Sequence, residues 1–451
     1  MKTFMLGWEF PPFISGGLGT ACYGLTKAMD RLGIEVTFVL PRAGGSSCHA
    51  HAGNVQLLSI EGLSAGKLTD SFRKVRFYTI ESALRPYAQA DTYQHHLMLT
   101  KTRQAKVKVR AGVKPVPTVE QDNYSGDMYS GVNPVPMEGQ DNYSGDMYSD
   151  IYRYADKAAG IAAGEAFDII HAHDWMTYPA GIAVSRVSGR PLIVHVHSTE
   201  FDRSGEHVNQ TVYDIERRGM HAAAKVIAVS NFTKNIIVRH YDIPPEKVEV
   251  VHNGVEHDNG KPSQMPPDKT NKIVLFLGRI TMQKGPEYFL AAAKKVLEVI
   301  DNVKFIMVGN GDMMHRTIEL AARMAIGHKV FFTGFLRGDD VNRVYEMADL
   351  YVMPSVSEPF GIAPLEAMRR NVPVLISRQS GIAEAVTHAL KVDFWDINEM
   401  ANKMIAVLKR SPLQATLRRN GFCEADKFRW ENSALKVKKV YEETLALLQT
   451  A

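Results

Sequence analysis

The chain has 451 residues, of which 45% are apolar and 23% charged, the balance of a globular protein. One hydrophobic core does not extend over that length, so two domains of roughly 200 residues or more are expected. A net charge of +4 with no lysine or arginine block gives no reason to expect nucleic acid or an anionic membrane as partner, and no run reaches the roughly 18 apolar residues that a membrane span needs.

The opening stretch, Met1 to Glu9, reads as a first strand and not a cleaved leader, because its short apolar run meets a carboxylate where small residues would be needed. A cytoplasmic location is therefore expected. Gly16-Gly17-Leu18-Gly19 follows that strand and the turn Pro11-Pro12, and a helical pattern begins at Leu18. Glycines there let backbone approach a ligand closely, and a helix N-terminus favours phosphate or a developing anion. A plain tight turn is the alternative reading. Apolar strands are expected at Thr3 to Trp8, Glu35 to Leu40, Val75 to Ile80, Asp168 to His173, Leu192 to His197, Lys225 to Val229 and Val248 to His252, with helical patterns between them. That alternation specifies a parallel sheet covered on both faces.

One tract breaks the pattern. Val113 to Ser130 recurs almost unchanged as Val132 to Ser149, with Gln-Asp-Asn-Tyr-Ser-Gly-Asp-Met-Tyr-Ser identical in both copies. Two copies are too few for a solenoid. The tract reads as an irregular insertion over about 113–149, either a plain loop or an aromatic platform.

His171-Ala172-His173-Asp174-Trp175 ends one expected strand and His195-Val196-His197-Ser198-Thr199-Glu200 ends the next. Ligands of open parallel sheets collect outside the carboxyl ends of the strands, so both clusters should face one cleft. Asp174 and His197 lie farthest along and are taken as pocket residues; at least one histidine of each pair has the alternative of a hydrogen-bonded core position. A zinc site is the competing reading of four histidines and an aspartate, but no glutamate-bearing helix motif accompanies them. No metal is expected. The three cysteines, Cys22, Cys48 and Cys423, match neither metal nor disulfide spacing.

Residues 258–270, with one glycine and three prolines, break regular structure and mark a linker. The strand pattern then restarts at Ile273 to Leu277, Val303 to Val308, Val330 to Thr333, Leu350 to Met353 and Pro373 to Ile376. The division expected is a domain over 1–257, a second over 271–429, and a helix over 430–451 that leans back on the first domain. Its apolar residues Leu435, Val437, Val440, Tyr441, Leu445 and Leu448 recur at roughly helical spacing.

Gly278-Arg279 and Lys284-Gly285 place two cations beyond the first strand of the second set. Glu358 and Glu366 flank the turn Pro359-Phe360-Gly361-Ile362 that opens a helix. Free N–H groups and a positive helix end attract an anion, while carboxylates accept hydrogen bonds from hydroxyls. Together they predict a pocket for a nucleotide diphosphate-sugar. Taken singly, each has a bland reading: a solvated loop glutamate, a first-turn helix charge, an ordinary strand-end cation.

These motifs resemble those of the retaining GT-B glycosyltransferases of family 4 close to glycogen synthases. Trp8-Glu9-Phe10-Pro11-Pro12, Val229-Ser230-Asn231, His252-Asn253-Gly254-Val255, Val308-Gly309-Asn310-Gly311 and Ser380-Gly381-Ile382-Ala383-Glu384 add to the matches, in family order over nearly the whole chain. The resemblance implies an α/β protein of GT-B fold, with two doubly wound Rossmann-like domains facing a central cleft and the first on the acceptor side. It implies transfer of glucose from ADP- or UDP-glucose to the end of an α-1,4-glucan, without metal or other cofactor. By the same resemblance Arg279 and Lys284 bind the donor diphosphate, Glu358 faces the sugar, Phe360, Gly361 and Ile362 offer backbone N–H groups, and Glu366 holds the ribose. His197 touches the sugar near its reacting carbon, Asp174 lies beside sugar or acceptor, and Gly16, Gly17 and Gly309 serve the donor site. Ser15 departs from the lysine common before the glycine pair, which removes a cation from the diphosphate site and leaves UDP-glucose open. The alternatives are a small acceptor (a sugar phosphate, glucose or lipid), a sugar-nucleotide epimerase, a pyridoxal-dependent phosphorylase and a non-catalytic glucan-binding protein.

Overall fold

The computed structural model describes residues 1–10, 16–42, 72–81, 147–256 and 270–450. Pro11, Pro12, Ser15, Cys48, residues 258–269 of the linker and residues 113–146 of the duplicated tract lie outside them.

Seven parallel strands form the first sheet: β1 (Lys2–Leu6), β2 (Glu35–Arg42), β3 (Val75–Glu81), β4 (Ile169–His173), β5 (Leu192–Val196), β6 (Lys225–Ala228) and β7 (Val248–Val250), in the order β3-β2-β1-β4-β5-β6-β7. Six more form the second: β8 (Lys272–Leu277), β9 (Val303–Val308), β10 (Val330–Gly334), β11 (Leu350–Met353), β12 (Val374–Ser377) and β13 (Leu390–Val392), in the order β10-β9-β8-β11-β12-β13. Strands β1, β4 and β5 are buried along almost their whole length, as expected of a sheet covered on both faces. Strand β13 was not among the expected strands, since three residues with a lysine in the middle carry little pattern.

In each sheet the order reverses beside the first strand, between β1 and β4 and again between β8 and β11. Neighbouring crossovers leave in opposite directions at such a point, and a crevice opens at the carboxyl ends of the strands. Two crevices are therefore built in by topology alone.

The helix Trp430–Thr450 follows the second sheet in sequence but packs on the helix Gly17–Arg31 of the first lobe. It buries Ala434, Val437, Val440 and Tyr441 in the same cluster as Met5, Cys22 and Ile169. Burial of a side chain such as Val437 stabilises by about 1.5–3 kcal/mol. Leu435, expected on this apolar face, is half exposed, and Ala434 takes the inward position one residue earlier. The last residues of the duplicated tract also depart from expectation: Met147, Tyr148 and Ser149 are not irregular but form the first turn of the helix Met147–Ala162.

Side chains also join the two lobes directly. Ser357 Oγ donates to Asp202 Oδ1 at 2.6 Å, and Ser230 Oγ donates to the carbonyl of Pro359 at 2.5 Å.

Candidate active site

The carboxyl ends of β1, β4, β8 and β11 open on one cavity of about 1570 Å³, lined by Trp8, Asp174, Gly278 and Met353 among others. From the first lobe, Gly16, Gly17, Asp174 and His197 line it. From the second come Arg279, Lys284, Gly309, Glu358, Phe360, Gly361, Ile362 and Glu366. Every residue singled out in the sequence for this pocket thus lies on its wall.

Backbone packing explains how the charged pair of the second lobe meets. Lys284 ends a single helical turn, Met282–Lys284, and Gly285 then adopts φ 67°. A Cβ at Gly285 would come within 2.2 Å of the carbonyl oxygen of Pro354, so only glycine lets this loop close on the end of β11. The closure brings the Lys284 ammonium into a direct ion pair with the Glu358 carboxylate. Gly309, with φ 135°, does the same under Arg279: a Cβ there would strike the carbonyl oxygen of Gly278 at 1.8 Å. Its place on the wall is set by that close approach.

Glu358 is buried, with its backbone tied to Gln379 and Gly381. Glu366 is the fifth residue of the helix Ile362–Arg369, beyond its first turn, so the reading as a dipole-stabilised end charge does not hold. Its carboxylate accepts from the Tyr345 hydroxyl at 2.9 Å, and burial raises its pKa above the usual carboxylate range. Phe335, Arg337 and Arg370 complete this side, the Arg337 guanidinium lying 5.2 Å from the Phe335 ring.

On the first lobe the carboxylate of Glu9 accepts from Gly19 N–H at 3.0 Å, so a side-chain anion already sits at the start of the helix Gly17–Arg31. Asp174 holds φ 58°, a strained position for a residue other than glycine. Its Oδ1 accepts from the backbone N–H of His197 at 2.7 Å and of Ser198 at 3.3 Å, which ties the two strand ends together. Burial nevertheless raises Asp174 to about 7, those hydrogen bonds offsetting part of the effect.

His171, His173 and His195 are buried in the core below, whereas His197 reaches the cavity. Burial holds all four imidazoles neutral, His171 and His197 at about 3. Nitrogens of His171, His173 and His195 lie within 4.8 Å of one another, the arrangement a zinc reading requires. His171, however, has Tyr441 Oη at 2.5 Å from Nδ1 and His195 Nδ1 at 3.2 Å from Nε2, so both its nitrogens are engaged.

A buried network beside Asp174 was not foreseen. Arg203 lines the cavity and pairs with Glu200, Nε to Oε2 at 3.1 Å, and with Glu216. Glu216 also takes the Tyr241 hydroxyl and the Glu200 N–H. Burial works against the Arg203 charge, but Glu216 and Glu200 more than compensate and raise its pKa. The signal was present in Glu200 and Arg203 standing three apart, the spacing of neighbours on one helix face.

Two family models match successive parts of the chain: Glycosyltransferase Family 4 over residues 112–259, and Glycosyl transferases group 1 over residues 260–423. An uncharacterized glycosyltransferase of Methanocaldococcus jannaschii is 31% identical over 312 residues, covering 65% of this chain and 80% of that protein. The glycogen synthase of Mycobacterium tuberculosis (strain CDC 1551 / Oshkosh) is 22% identical over 390 residues, 86% of this chain and 80% of its own. Among solved structures, sucrose-phosphate synthase from Thermosynechococcus elongatus superposes with a TM-score of 0.71 at 18% identity, over 99% of each chain. Among the described residues no helix is long and apolar enough to cross a membrane. With two parallel α/β lobes around one cleft and these matches across both, the chain belongs to the family 4 glycosyltransferases of GT-B fold.

Proposed function

We propose that this glycosyltransferase moves glucose from a nucleotide diphosphate-glucose to the end of an α-1,4-glucan, with retention of the anomeric configuration and without a metal ion. The observation that carries the reading is the convergence of Arg279, Lys284, Glu358 and Glu366 on one wall of the cavity. Lys284 and Arg279 bind the diphosphate and take up the charge that grows on it as the bond from the sugar carbon to phosphate oxygen breaks. Fixed cations supply what a divalent ion supplies elsewhere. Glu366 accepts from the ribose hydroxyls, and Glu358 with the backbone of Phe360 to Ile362 holds the sugar. His197 fronts the reacting carbon with Asp174 beside it. The acceptor hydroxyl attacks from the face that the phosphate leaves, and its proton passes to the departing phosphate oxygen.

The charge balance of the opposite wall supports an uncharged acceptor. There Arg203 is matched by Glu200 and Glu216, and Lys27 lies 3.3 Å from Glu256, so each of these cations already has an acidic partner.

The test offers UDP-glucose and ADP-glucose separately with maltooligosaccharide, glucose, a sugar phosphate and a lipid acceptor, and measures nucleotide release and product length. A ladder of lengthened maltooligosaccharides with one of the donors is expected. One fixed product from a small acceptor, or sugar-nucleotide epimers released with no acceptor, sinks the reading.

A further inference from the structure

The four histidines form two facing pairs below the cavity. His171 Nε2 lies 3.2 Å from His195 Nδ1, and His173 Nδ1 lies 2.9 Å from His197 Nε2. The pairs are stacked on each other, with His171 over His173 at 4.3 Å and His195 over His197 at 4.2 Å between ring centres. Only His197 reaches the cavity, and its Nδ1 has no hydrogen-bond partner among the described residues. At the far end of the stack, Tyr441 Oη lies 2.5 Å from His171 Nδ1.

Two neutral imidazoles facing each other nitrogen to nitrogen share one proton, and either ring can carry it. Something outside the pair must choose. Burial raises the Tyr441 phenol well above its ordinary value, so it keeps a proton that it can donate to His171 Nδ1. A hydroxyl donated to His171 Nδ1 obliges that ring to carry its own proton on Nε2. That proton is given to His195 Nδ1, and His195 in turn carries its proton on Nε2. The dipole and seating of the ring against which His197 stacks are then settled by one phenol.

We propose that Tyr441, on the helix that follows the second lobe, is a positioning residue for His197: its hydroxyl selects one tautomer across the His171–His195 pair and so fixes the ring that supports His197. The role of His197 at the sugar rests on the function proposed above, whereas the tautomer selection does not. The chain end that trails the nucleotide-sugar lobe is in this way part of the opposite wall of the site. Chain connectivity makes the support sensitive to both lobes.

The full chain labelled with nitrogen-15 in histidine allows the test, because long-range proton–nitrogen spectra distinguish the two neutral tautomers. In the wild type His171 and His195 are each expected as a single tautomer protonated on Nε2. In Tyr441→Phe, which keeps the ring and loses the hydroxyl, both are expected to become averaged and the His197 signals to move. Turnover, read as nucleotide release from whichever of UDP-glucose and ADP-glucose the wild type uses, should fall about tenfold in kcat with the donor KM unchanged, the kinetic equivalent of one hydrogen bond. Leu445→Ala removes packing one turn beyond Tyr441 on the same helix and keeps the hydroxyl. It should lower Tm and leave the histidine spectrum as in the wild type. A Tyr441→Phe spectrum identical to wild type, or the same spectral change in Leu445→Ala, overturns the proposal. Absence of turnover with either donor in the wild type counts against the transferase reading alone, since the spectra still decide this one.

Discussion

The two walls of the cleft handle charge in opposite ways. On the second lobe Arg279, Lys284, Glu358 and Glu366 line the cavity itself, and Lys284 is held by a glutamate that is also a cavity residue. On the first lobe the cavity residue Arg203 is matched by two carboxylates, Glu200 and Glu216, Asp174 by the N–H groups of His197 and Ser198, and the histidines are neutral. An anionic ligand on the second wall would compete with Glu358 for Lys284, whereas Arg203 on the first already has two carboxylates. Under the proposed function donor charge and acceptor position fall to different lobes, and a substitution should reveal which wall it struck.

The largest effect is expected where the first wall is opened. Arg203→Met leaves Glu216 buried beside Tyr241 with no cation, and breaking a buried pair from one side costs about 3–5 kcal/mol. Urea unfolding measures it; a loss under 1 kcal/mol would mean that the network is solvated and the contrast between walls false.

Next comes Asp174. Its folded pKa is about 7, against about 3.9 in an unfolded chain, so the native state binds the proton more tightly. Stability from this group is complete below about pH 4 and is lost as pH rises through 7. Asp174→Asn, tolerated at positive φ, removes the titration. Relative to that variant the wild type should lose on the order of 2–4 kcal/mol between pH 4 and pH 8. Parallel curves for the two proteins would show Asp174 to be solvated.

On the second lobe the expectation is reversed, with activity lost and folding kept. Lys284→Ala should lower turnover by about 100-fold or more, as for other losses of transition-state charge stabilisation. Its Tm should fall less than that of Arg203→Met, because Glu358, though buried, lines the open cavity, where water can replace the ammonium. Near-normal nucleotide release would contradict the donor role of this wall.

The contrast also explains what could be read from the chain beforehand. Strands such as β4 and β8 are continuous apolar runs, and the pocket residues around Lys284 and Glu358 follow from loop position at strand ends, so both were legible locally. Arg203 with Glu216, Tyr345 with Glu366, and Tyr441 with His171 were not. Those contacts join residues 13, 21 and 270 positions apart, and only packing decides which polar side chains meet. Leu435 failed for a related reason: Ala434 is too small to register in a hydrophobic pattern, yet fits the tighter inward position. The first turn at Met147 was hidden because its sequence repeats an earlier stretch, and identical residues carry no local hint of where a helix starts.

The smallest predicted effect concerns the seam between the walls. Glu384, on the second lobe, accepts from the backbone N–H of Asn231 at 2.7 Å and of Phe232 at 3.1 Å, and from His252 Nε2 at 3.0 Å. Ser230 takes the N–H of Thr233, so the helix Asn231–Tyr241 of the first lobe has its initial donors satisfied partly by its own cap and partly by the opposite lobe. Burial alone would raise Glu384, but His252, Asn231 and Phe232 hold it below the ordinary range. Its contribution is therefore present above the unfolded carboxyl pKa of about 4.3 and is lost as pH falls through the lower folded value. Glu384→Gln keeps the shape and one acceptor oxygen while removing the charge from a helix N-terminus, a cost of about 1 kcal/mol. That gap should be measurable at pH 7 and should close as the solution is taken below pH 4. A gap that persists unchanged in acid would show that side-chain fit holds the seam, in which case the charge of Glu384 has no part in joining the two lobes.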